Sequence, residues 1–314
     1  MNGSEMNGAT EVIPDALDGE RLDRVVALMA EVSRSRACAA IDDGGVSVDG
    51  EVSTHRARRV RSGEELWIGD ISRQQAEGPL PDPTVVVPVV HADDDVVVVD
   101  KPAGLVVHPG SGNETGTMLN GLLAAHPGMQ GVGSAVRPGI VHRLDRGTSG
   151  LLVVALTQMA YDGLVAQLAD RSMGRRYLAL AWGRFDEREG VVDAPIGRSP
   201  RDRTRMAVVT AGREARTGYE VQRWWAIPEV SLVTCRLETG RTHQIRVHMS
   251  AIGHPLVGDG TYGGSRAGLD PGRPFLHAEH LAFDHPTTGE RLAFDSPLPD
   301  DLTGLLDDLG DPES

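Results

Sequence analysis

A proline-containing stretch without apolar periodicity, residues 71–84, divides this chain of 314 residues into two parts of very different size. It reads Ile-Ser-Arg-Gln-Gln-Ala-Glu-Gly-Pro-Leu-Pro-Asp-Pro-Thr, a composition typical of an interdomain linker. We therefore predict a small domain at residues 11–70 and a large one at residues 85–306. Residues 1–10 would form a disordered tail and residues 307–314 an acidic tail.

The pattern of the small domain predicts two helices, a hairpin and a short closing strand. Apolar residues recur at helical spacing within residues 21–30, at Leu22, Val25, Val26 and Met29. Ser33 or Ser35 can cap a second helix that continues through Ile41. Valines alternate with polar residues around Asp49-Gly50, which indicates a hairpin, and residues 66–68 complete the unit as a strand.

The large domain reads as strands interrupted by few helices. A helix is indicated over residues 161–168, and the predicted strands are residues 96–99, 151–156, 177–182 and 230–237. Because the strands do not alternate regularly with long helices, we expect an α+β fold with a largely antiparallel sheet.

Composition excludes several classes of protein. No apolar run approaches the roughly 18 residues that cross a bilayer, and the polar start lacks the features of a signal peptide. The two cysteines, Cys38 and Cys235, fall in different predicted domains and have no partners at metal-ligand spacing. We therefore expect a cytoplasmic protein without membrane contact or disulfide.

The distribution of charge matters more than the net charge of −14. Between Arg171 and Arg216 there are 11 arginines and 6 acidic residues. A locally basic surface of this kind can bind phosphates while the whole molecule stays acidic. The alternative is a solvated face of surface salt bridges, and composition does not decide between them.

Sequence motifs for common cofactors are absent. The chain contains neither a phosphate-binding loop of the form G-x-x-x-x-G-K-[ST] nor a G-x-G-x-x-G after a strand, and neither H-E-x-x-H nor C-x-x-C occurs. We therefore predict chemistry without a nucleotide cofactor, a flavin or a metal ion.

Three polar segments are candidates for that chemistry. The first, Gly139–Gly150, places Asp145 between Arg143 and Arg146, cations that favour its ionised form. An ionised carboxylate at a cleft can attack a sugar carbon, whereas the alternative is a structural Asp-Arg pair. The other two segments are Arg175–Gly183, where Tyr177 opens an apolar strand and can stack on a base, and Leu237–His248, which is rich in hydrogen-bond donors.

Taken together, three segments resemble the RluA-type pseudouridine synthases. They read Gly-Ile-Val-His-Arg-Leu-Asp-Arg-Gly-Thr-Ser-Gly, Arg-Tyr-Leu-Ala-Leu and Gly-Arg-Thr-His-Gln-Ile-Arg-Val-His. Asp-Lys-Pro-Ala-Gly, Gly-His-Pro-Leu-Val-Gly-Asp and Leu-His-Ala fit the same family, so the resemblance covers about residues 90–300. Residues 20–70 separately resemble the S4 RNA-binding domain, an arrangement that the family's large-subunit ribosomal RNA branch shares.

The resemblance implies roles for individual residues. Asp145 would be the catalytic aspartate, Tyr177 the active-site tyrosine that assists proton removal from C5, and Arg246 the arginine that pairs with the aspartate. Arg143 would fill the space that the flipped uridine leaves. Further candidates for RNA contact are His142, Arg146, Arg241, His243, Gln244, Arg34 and Arg36.

The implied function is conversion of uridines in 23S (large-subunit) ribosomal RNA to pseudouridine, without a cofactor, by a monomer. One alternative is a non-catalytic RNA-binding factor of ribosome assembly, which would not need the set formed by Asp145, Tyr177 and Arg246. Another is a glycoside hydrolase, for which Glu238 is the one weak candidate for a second carboxylate.

Overall fold

The computed structural model divides the chain into two compact units, Met1–Glu77 and Gly78–Ser314. The residues that it describes are 8–30, 32, 34–69, 78–110 and 112–313. Residues 70–77, which include half of the predicted linker, lie outside this part of the chain, and so does Ser33, one of the two predicted helix caps. Residues 78–84 belong to the second unit.

The first unit packs two helices against a four-stranded antiparallel sheet of order β1-β4-β2-β3. Its elements are β1 (Gly8–Val12), α1 (Leu22–Met29), α2 (Arg34–Asp42), β2 (Val46–Val48), β3 (Glu51–Val52) and β4 (Glu65–Gly69). The core contains the apolar face of α1, with Leu22, Val25 and Val26 fully buried. The predicted helices, hairpin and closing strand are therefore all present.

The N-terminal strand corrects one prediction. Residues 8–10, assigned to a disordered tail, begin β1, which pairs in antiparallel register with β4 from Gly8 opposite Gly69 to Val12 opposite Glu65. Every residue of β1 is exposed. The strand is held by backbone pairing at a sheet edge, so no alternation of apolar residues marks it in the sequence.

The second unit is built around a nine-stranded sheet of order β5-β6-β7-β14-β8-β13-β12-β9, with β15 paired to β14. Its strands are β5 (Val89–Ala92), β6 (Val96–Lys101), β7 (Ser149–Ala155), β8 (Gly174–Trp182), β9 (Glu189–Asp193), β10 (Ile196–Arg198), β11 (Met206–Val208), β12 (Arg216–Ala226), β13 (Glu229–Leu237), β14 (Leu276–Asp284) and β15 (Arg291–Asp295). Strands β10 and β11 form a separate hairpin. Apart from the parallel pair β7–β14, the sheet is antiparallel, which confirms the predicted α+β class.

In the described part of this unit, four α-helices accompany the sheet: α3 (Met118–Ala125), α4 (Gln158–Ala169), α5 (Gln244–Ala251) and α6 (Asp300–Asp308). Strand β7 is buried along its whole length and β6 almost so, and both contribute to the main core with α3 and α4. Burial on both faces explains why these strands are runs of valine and leucine and not alternating patterns. Among the described residues, no helix has the length and apolarity needed to span a membrane.

The C-terminal segment also differs from its prediction as an acidic tail from residue 307. Helix α6 includes Asp307 and Asp308, and the partly buried Leu305, Leu306 and Leu309 pack with the buried Leu302. Leucines at helical spacing bring the acidic residues into a helix whose polar face is exposed.

Candidate active site

Asp145 lies in a loop that leads directly into β7. The loop is anchored from both sides by buried residues, Leu144 and Thr148, and the Thr148 amide donates to the Asp145 carbonyl at 3.1 Å. Strand β7 then approaches β14 very closely. A Cβ atom on Gly150 would lie 2.3 Å from the Ala278 carbonyl oxygen, and the φ angle of Gly150 is +110°, so this position requires glycine.

The base of the Asp145 loop is held by donors from distant parts of the chain. The Gly104 amide donates to the Arg146 carbonyl at 2.7 Å, and Arg273 Nη1 donates to the Gly147 carbonyl at 3.0 Å. Lys101 is fully buried, and its Nζ donates at 2.9 Å to each of the carbonyls of Pro102 and Leu105 and lies 3.5 Å from that of Arg146. Burial lowers the pKa of Lys101 to about 8.

Arg246 joins two carboxylates. Its Nη1 donates to Asp145 Oδ2 at 3.2 Å. On the other side, Nε and Nη2 form a bidentate pair with the fully buried Asp259, at 2.7 and 2.9 Å. This fork–fork geometry fixes the plane of the guanidinium, so that Nη1 is directed at Asp145. Asp259 also accepts from the amides of Thr261 and Tyr262.

The electrostatics of this group favour a charged arginine. Burial opposes the charge of Arg246, but the hydrogen bonds and negative charge of Asp259, together with Asp145, outweigh burial and raise its pKa. The ring of Tyr262 lies 5.1 Å from the Arg246 guanidinium and adds a cation–π contact.

Tyr177 lies beside this pair, on β8. Its side chain is 5% exposed and lines the same recess as Asp145 and Arg246. Burial raises the pKa of Tyr177, Arg175 opposes this change, and the charge of Asp145 adds to it. Among the described residues, the Tyr177 hydroxyl makes no hydrogen bond. Because its pKa is raised, the hydroxyl is neutral at pH 7. Because it has no hydrogen-bond partner, it is available at the recess.

His243 borders the site from the opposite side. It precedes α5 in a left-handed conformation with φ of +58°, uncommon for a residue with a side chain. Its Nδ1 lies 2.9 Å from the Tyr262 hydroxyl, and its Nε2 lies 3.9 Å from Asp145 Oδ1. Burial lowers the pKa of His243 although Asp145 acts in the other direction, so the imidazole is neutral at pH 7.

The three predicted catalytic residues thus meet at one opening, although they are far apart in the sequence. Asp145 borders a cavity of about 560 Å³ and, on another side, a groove of about 750 Å³. Its side chain keeps 15% exposure. A carboxylate held by an arginine, facing a cavity and beside a tyrosine, can act on a substrate in nucleophilic or acid–base chemistry.

Three predicted RNA contacts surround this opening. Arg143 is exposed and borders both the cavity and the groove, with its Nη1 3.3 Å from His108 Nε2. Arg146 is exposed at the cavity and donates to the Gly104 carbonyl. Arg241 borders the groove, and its Nε donates to the Glu214 carbonyl at 2.9 Å.

Gln244, which we predicted to contact RNA, is buried beside the opening. It is 3% exposed, its Oε1 accepts from Thr239 and from the Arg241 amide, and its Nε2 donates to Arg216 and Thr217. Both ends of the amide are therefore used within the protein. Gln244 therefore braces the turn before α5, and its contact with RNA stays a prediction.

The remaining predicted contacts are one residue of the groove and two residues of the first unit. His142 borders the groove, where its Nε2 accepts from the Val153 amide at 3.2 Å. Arg34 belongs to the first unit, where its half-exposed side chain donates to both oxygens of the buried Asp23. The side chain of Arg36 lies outside the part of the chain that the structure describes.

Sequence reasoning missed the residues that support the site. Asp259 closes the stretch Gly-His-Pro-Leu-Val-Gly-Asp and Lys101 lies in Asp-Lys-Pro-Ala-Gly, but neither stretch received a role. An acid or a lysine inside an apolar, glycine-rich stretch is a signal of a buried charge with an internal partner, because unpaired charges are rarely buried.

Comparison with known proteins shows the family to which the chain belongs. The family described as RNA pseudouridylate synthase matches residues 95–251, and the S4 domain matches residues 20–66. The ribosomal large subunit pseudouridine synthase D of Nitrosomonas europaea is 46% identical, over 97% of this chain and 89% of that protein. The enzyme of the same name from Pseudomonas aeruginosa is 45% identical over 96% of both chains. The chain belongs to the RNA pseudouridylate synthase family.

Comparison with solved structures gives the same family. Human RNA pseudouridylate synthase domain containing 1 is similar with a TM-score of 0.56 and 30% identity, over 72% of this chain and 89% of that one. The S4 domain at the N-terminus and the catalytic fold that follows it are both confirmed.

Proposed function

We propose that this enzyme converts uridines of 23S (large-subunit) ribosomal RNA to pseudouridine, with Asp145 as its catalytic carboxylate. The observation that carries the proposal is the position of Asp145, oriented by Arg246 and beside Tyr177 at the mouth of an open cavity. The relatives at 45–46% identity are named for the large ribosomal subunit and match nearly the whole chain, which favours the same substrate here.

The reaction requires a carboxylate and a proton acceptor at one base. The N1–C1′ bond of uridine breaks, the base turns, C5 bonds to C1′, C5 loses its proton and N1 gains one. In our proposal Asp145 acts at the sugar–base junction, and the Tyr177 hydroxyl assists removal of the C5 proton. Arg246 directs Asp145 at the cavity through its hydrogen bond. Atoms are only rearranged, so we propose that no cofactor takes part.

Access to the base requires that the target uridine leave the stack. Flipping costs a few kcal/mol, least for a base that is already unpaired, so we expect a loop or bulge as substrate. The exposed Arg143 at the junction of cavity and groove is the candidate to occupy the space left by the base. His142, Arg146, Arg241 and His243 are candidates for further contacts around the opening.

The S4 unit would provide a second RNA-binding surface, with Arg34 and Arg36 as candidates for contact. Arg34 remains 56% exposed while it pairs with Asp23, so it can still reach a phosphate. We further propose a monomer acting in the cytoplasm, where ribosomes assemble in bacteria such as those of the relatives. Light scattering of the purified protein checks the monomer.

The test is pseudouridine formation in transcribed 23S ribosomal RNA by the wild-type protein and by Asp145→Asn. We expect conversion by the wild type and at least a 10³-fold lower rate for Asp145→Asn, with RNA binding retained. Asp162→Asn, which changes an exposed acid of α4, is the matched control and should keep the wild-type rate.

Three outcomes would contradict the proposal in different ways. Efficient conversion by Asp145→Asn would show that another group performs the chemistry. Tight binding of ribosomal RNA by the wild type without any conversion of it, or of transfer RNA, would favour the non-catalytic assembly factor. Conversion of transfer RNA alone would correct the substrate and leave the catalytic residues in place.

A further inference from the structure

Arg175 is a buried cation without a carboxylate partner. It lies on β8 two residues before Tyr177, so both side chains point to the same face of the sheet. Its side chain is 8% exposed, and burial lowers its pKa. Among the described residues, no acid lies within salt-bridge distance of it. Burial of a charge without a partner is unfavourable, and such a group calls for an explanation.

The hydrogen bonds of Arg175 are also largely unused. Its Nε has no partner among the described residues, and its Nη2 makes one long contact, 3.4 Å, to the Leu237 carbonyl. His142, which borders the same groove, also has a buried donor without a partner. Because its Nε2 accepts from the Val153 amide, its Nδ1 carries the proton, and Nδ1 is buried without a partner. Arg175 Nε and His142 Nδ1 are therefore two buried donors without an acceptor among the described residues, and both residues border one groove.

The acidic residues of this groove are already paired with other cations. Glu238 pairs with Arg171 and Arg216, at 3.1 and 2.7 Å, and Asp145 pairs with Arg246. Glu214 in turn pairs with Arg171. The charge of Arg175 therefore remains uncompensated within the groove.

The wall of the groove is shaped around this guanidinium. A Cβ atom on Gly240 would lie 2.8 Å from Arg175 Nη1. Any side chain at residue 240 would therefore press on the guanidinium from the turn that follows β13. The groove of about 750 Å³ continues past Arg175 to Asp145, which gives an extended strand room to pass the catalytic carboxylate.

We propose that Arg175, with the Nδ1–H of His142, binds one phosphodiester group of the RNA strand next to the flipped uridine. A phosphodiester supplies the negative charge and the acceptor oxygens that both donors lack, and guanidinium is well matched to it. The proposal deepens the proposed function and rests on it for the identity of the ligand as RNA. Tyr177 and Arg175 on one strand would then hold the base and its backbone in a fixed relation.

The experiment compares Arg175→Met with Arg176→Met in the full-length Asp145→Asn protein. Arg176 is the matched control, because it points to the other face and pairs with Glu279 at 2.8 Å. The probe is a synthetic RNA stem-loop with a uridine that the wild-type protein has been shown to convert. We expect Arg175→Met to bind it about tenfold to hundredfold more weakly. The slope of log K against log salt should become shallower by about 0.7, while Arg176→Met keeps it.

A second measurement identifies the phosphate. Stem-loops with a single uncharged methylphosphonate linkage are bound to both proteins. We expect one linkage near the target uridine whose neutralisation weakens binding by the parent protein and has little further effect on Arg175→Met. Thermal unfolding should give Arg175→Met a melting temperature at or above that of the parent, because an unpaired buried charge has been replaced by an apolar chain.

A structural role gives the opposite results. If Arg175 only braces the Leu237 carbonyl, Arg175→Met lowers the melting temperature, leaves the salt slope unchanged and shows the same methylphosphonate profile as the parent, and the proposal is overturned. Failure of the proposed function appears separately, as RNA that the wild type does not convert. In that case the phosphate site is tested separately, by the salt dependence of binding of Arg175→Met and of the parent protein to transcribed ribosomal RNA.

Discussion

The buried carboxylate of Asp259 sets the direction of Arg246, and we expect Asp259→Asn to disable the enzyme without weakening RNA binding. Asparagine keeps one acceptor oxygen but places an NH₂ group where the second oxygen was. One of the two contacts, now 2.7 and 2.9 Å, then sets donor against donor. The guanidinium also loses the charge that compensates its burial, and its Nη1 is no longer directed at Asp145.

The size of the effect follows from the geometry. Removing one partner of a buried ion pair destabilises a protein by about 3–5 kcal/mol, and the retained hydrogen bond favours the lower end, about 3 kcal/mol. A displacement of about 1 Å at a catalytic group can lower the rate about 10²-fold. Asp259 has no exposed surface, so we expect the affinity for RNA to stay within about twofold of the wild type.

Single-turnover pseudouridine formation measures the rate, and chemical unfolding measures the stability. Asp270→Asn is the control, since Asp270 is an exposed acid in the loop that follows and pairs with Ser265. A wild-type rate in Asp259→Asn, particularly with the expected loss of stability, would refute the reasoning. It would show that Arg246 keeps its orientation toward Asp145 without the buried carboxylate.

Three further results are expected. Tyr177→Phe should lower the single-turnover rate about 10²-fold or more and keep RNA affinity, because the ring remains but the hydroxyl is lost; loss of affinity instead would assign the hydroxyl to binding. Burial lowers the pKa of Lys101 from 10.5 to about 8, so the unfolded chain binds more protons than the folded protein between these pH values. The free energy of unfolding of the wild type, relative to that of Lys101→Met, should therefore rise from pH 8 to pH 10.5. A constant difference between the two proteins would contradict this expectation. The hydrogen bond from Arg21 lowers the pKa of Asp23 from 3.8 to about 2; burial opposes this change and Arg34 assists it. The stabilisation of the first unit by the Asp23 carboxylate is therefore complete above pH 3.8 and should disappear as the pH falls toward 2. Unfolding followed by circular dichroism should show this acid sensitivity in the wild type and not in Asp23→Asn.

Local patterns were enough for the elements whose burial is regular. Helix α1 and strands β6 and β7 were predicted because periodic or continuous apolar residues reflect a face that is buried. Strand β1 was missed because all its residues are exposed, and β12 was missed because its residues are largely polar or partly exposed. Backbone pairing with neighbouring strands stabilises both, and this pairing leaves little trace in a single sequence.

The site was predicted only in part. The residues around Asp145 left two interpretations open, a structural ion pair or a reactive carboxylate. The structure shows that the ion pair exists, with Arg246 at 3.2 Å, and that the same carboxylate keeps exposure at a cavity. In our proposal the ion pair and the reactive group are the same residue, so composition could not have separated the two interpretations. Resemblance to a family supplied Tyr177 and Arg246 as partners, but it gave no role to Asp259 or Arg175.

The position of the site follows from the one parallel strand pair in the described part of the large sheet. His277 of β14 lies opposite Ser149 of β7, so both strands begin at the same end of the sheet. Asp145 lies four residues before Ser149, and Arg273 lies four residues before His277. This allows Arg273 to donate to the Gly147 carbonyl at the base of the Asp145 loop. In an antiparallel pair these two loops would lie at opposite ends. The pairing joins residues 128 positions apart, and neither strand's own pattern specifies its neighbour or its direction. This is the physical reason that the patterns of the individual strands could not predict how these two loops come together.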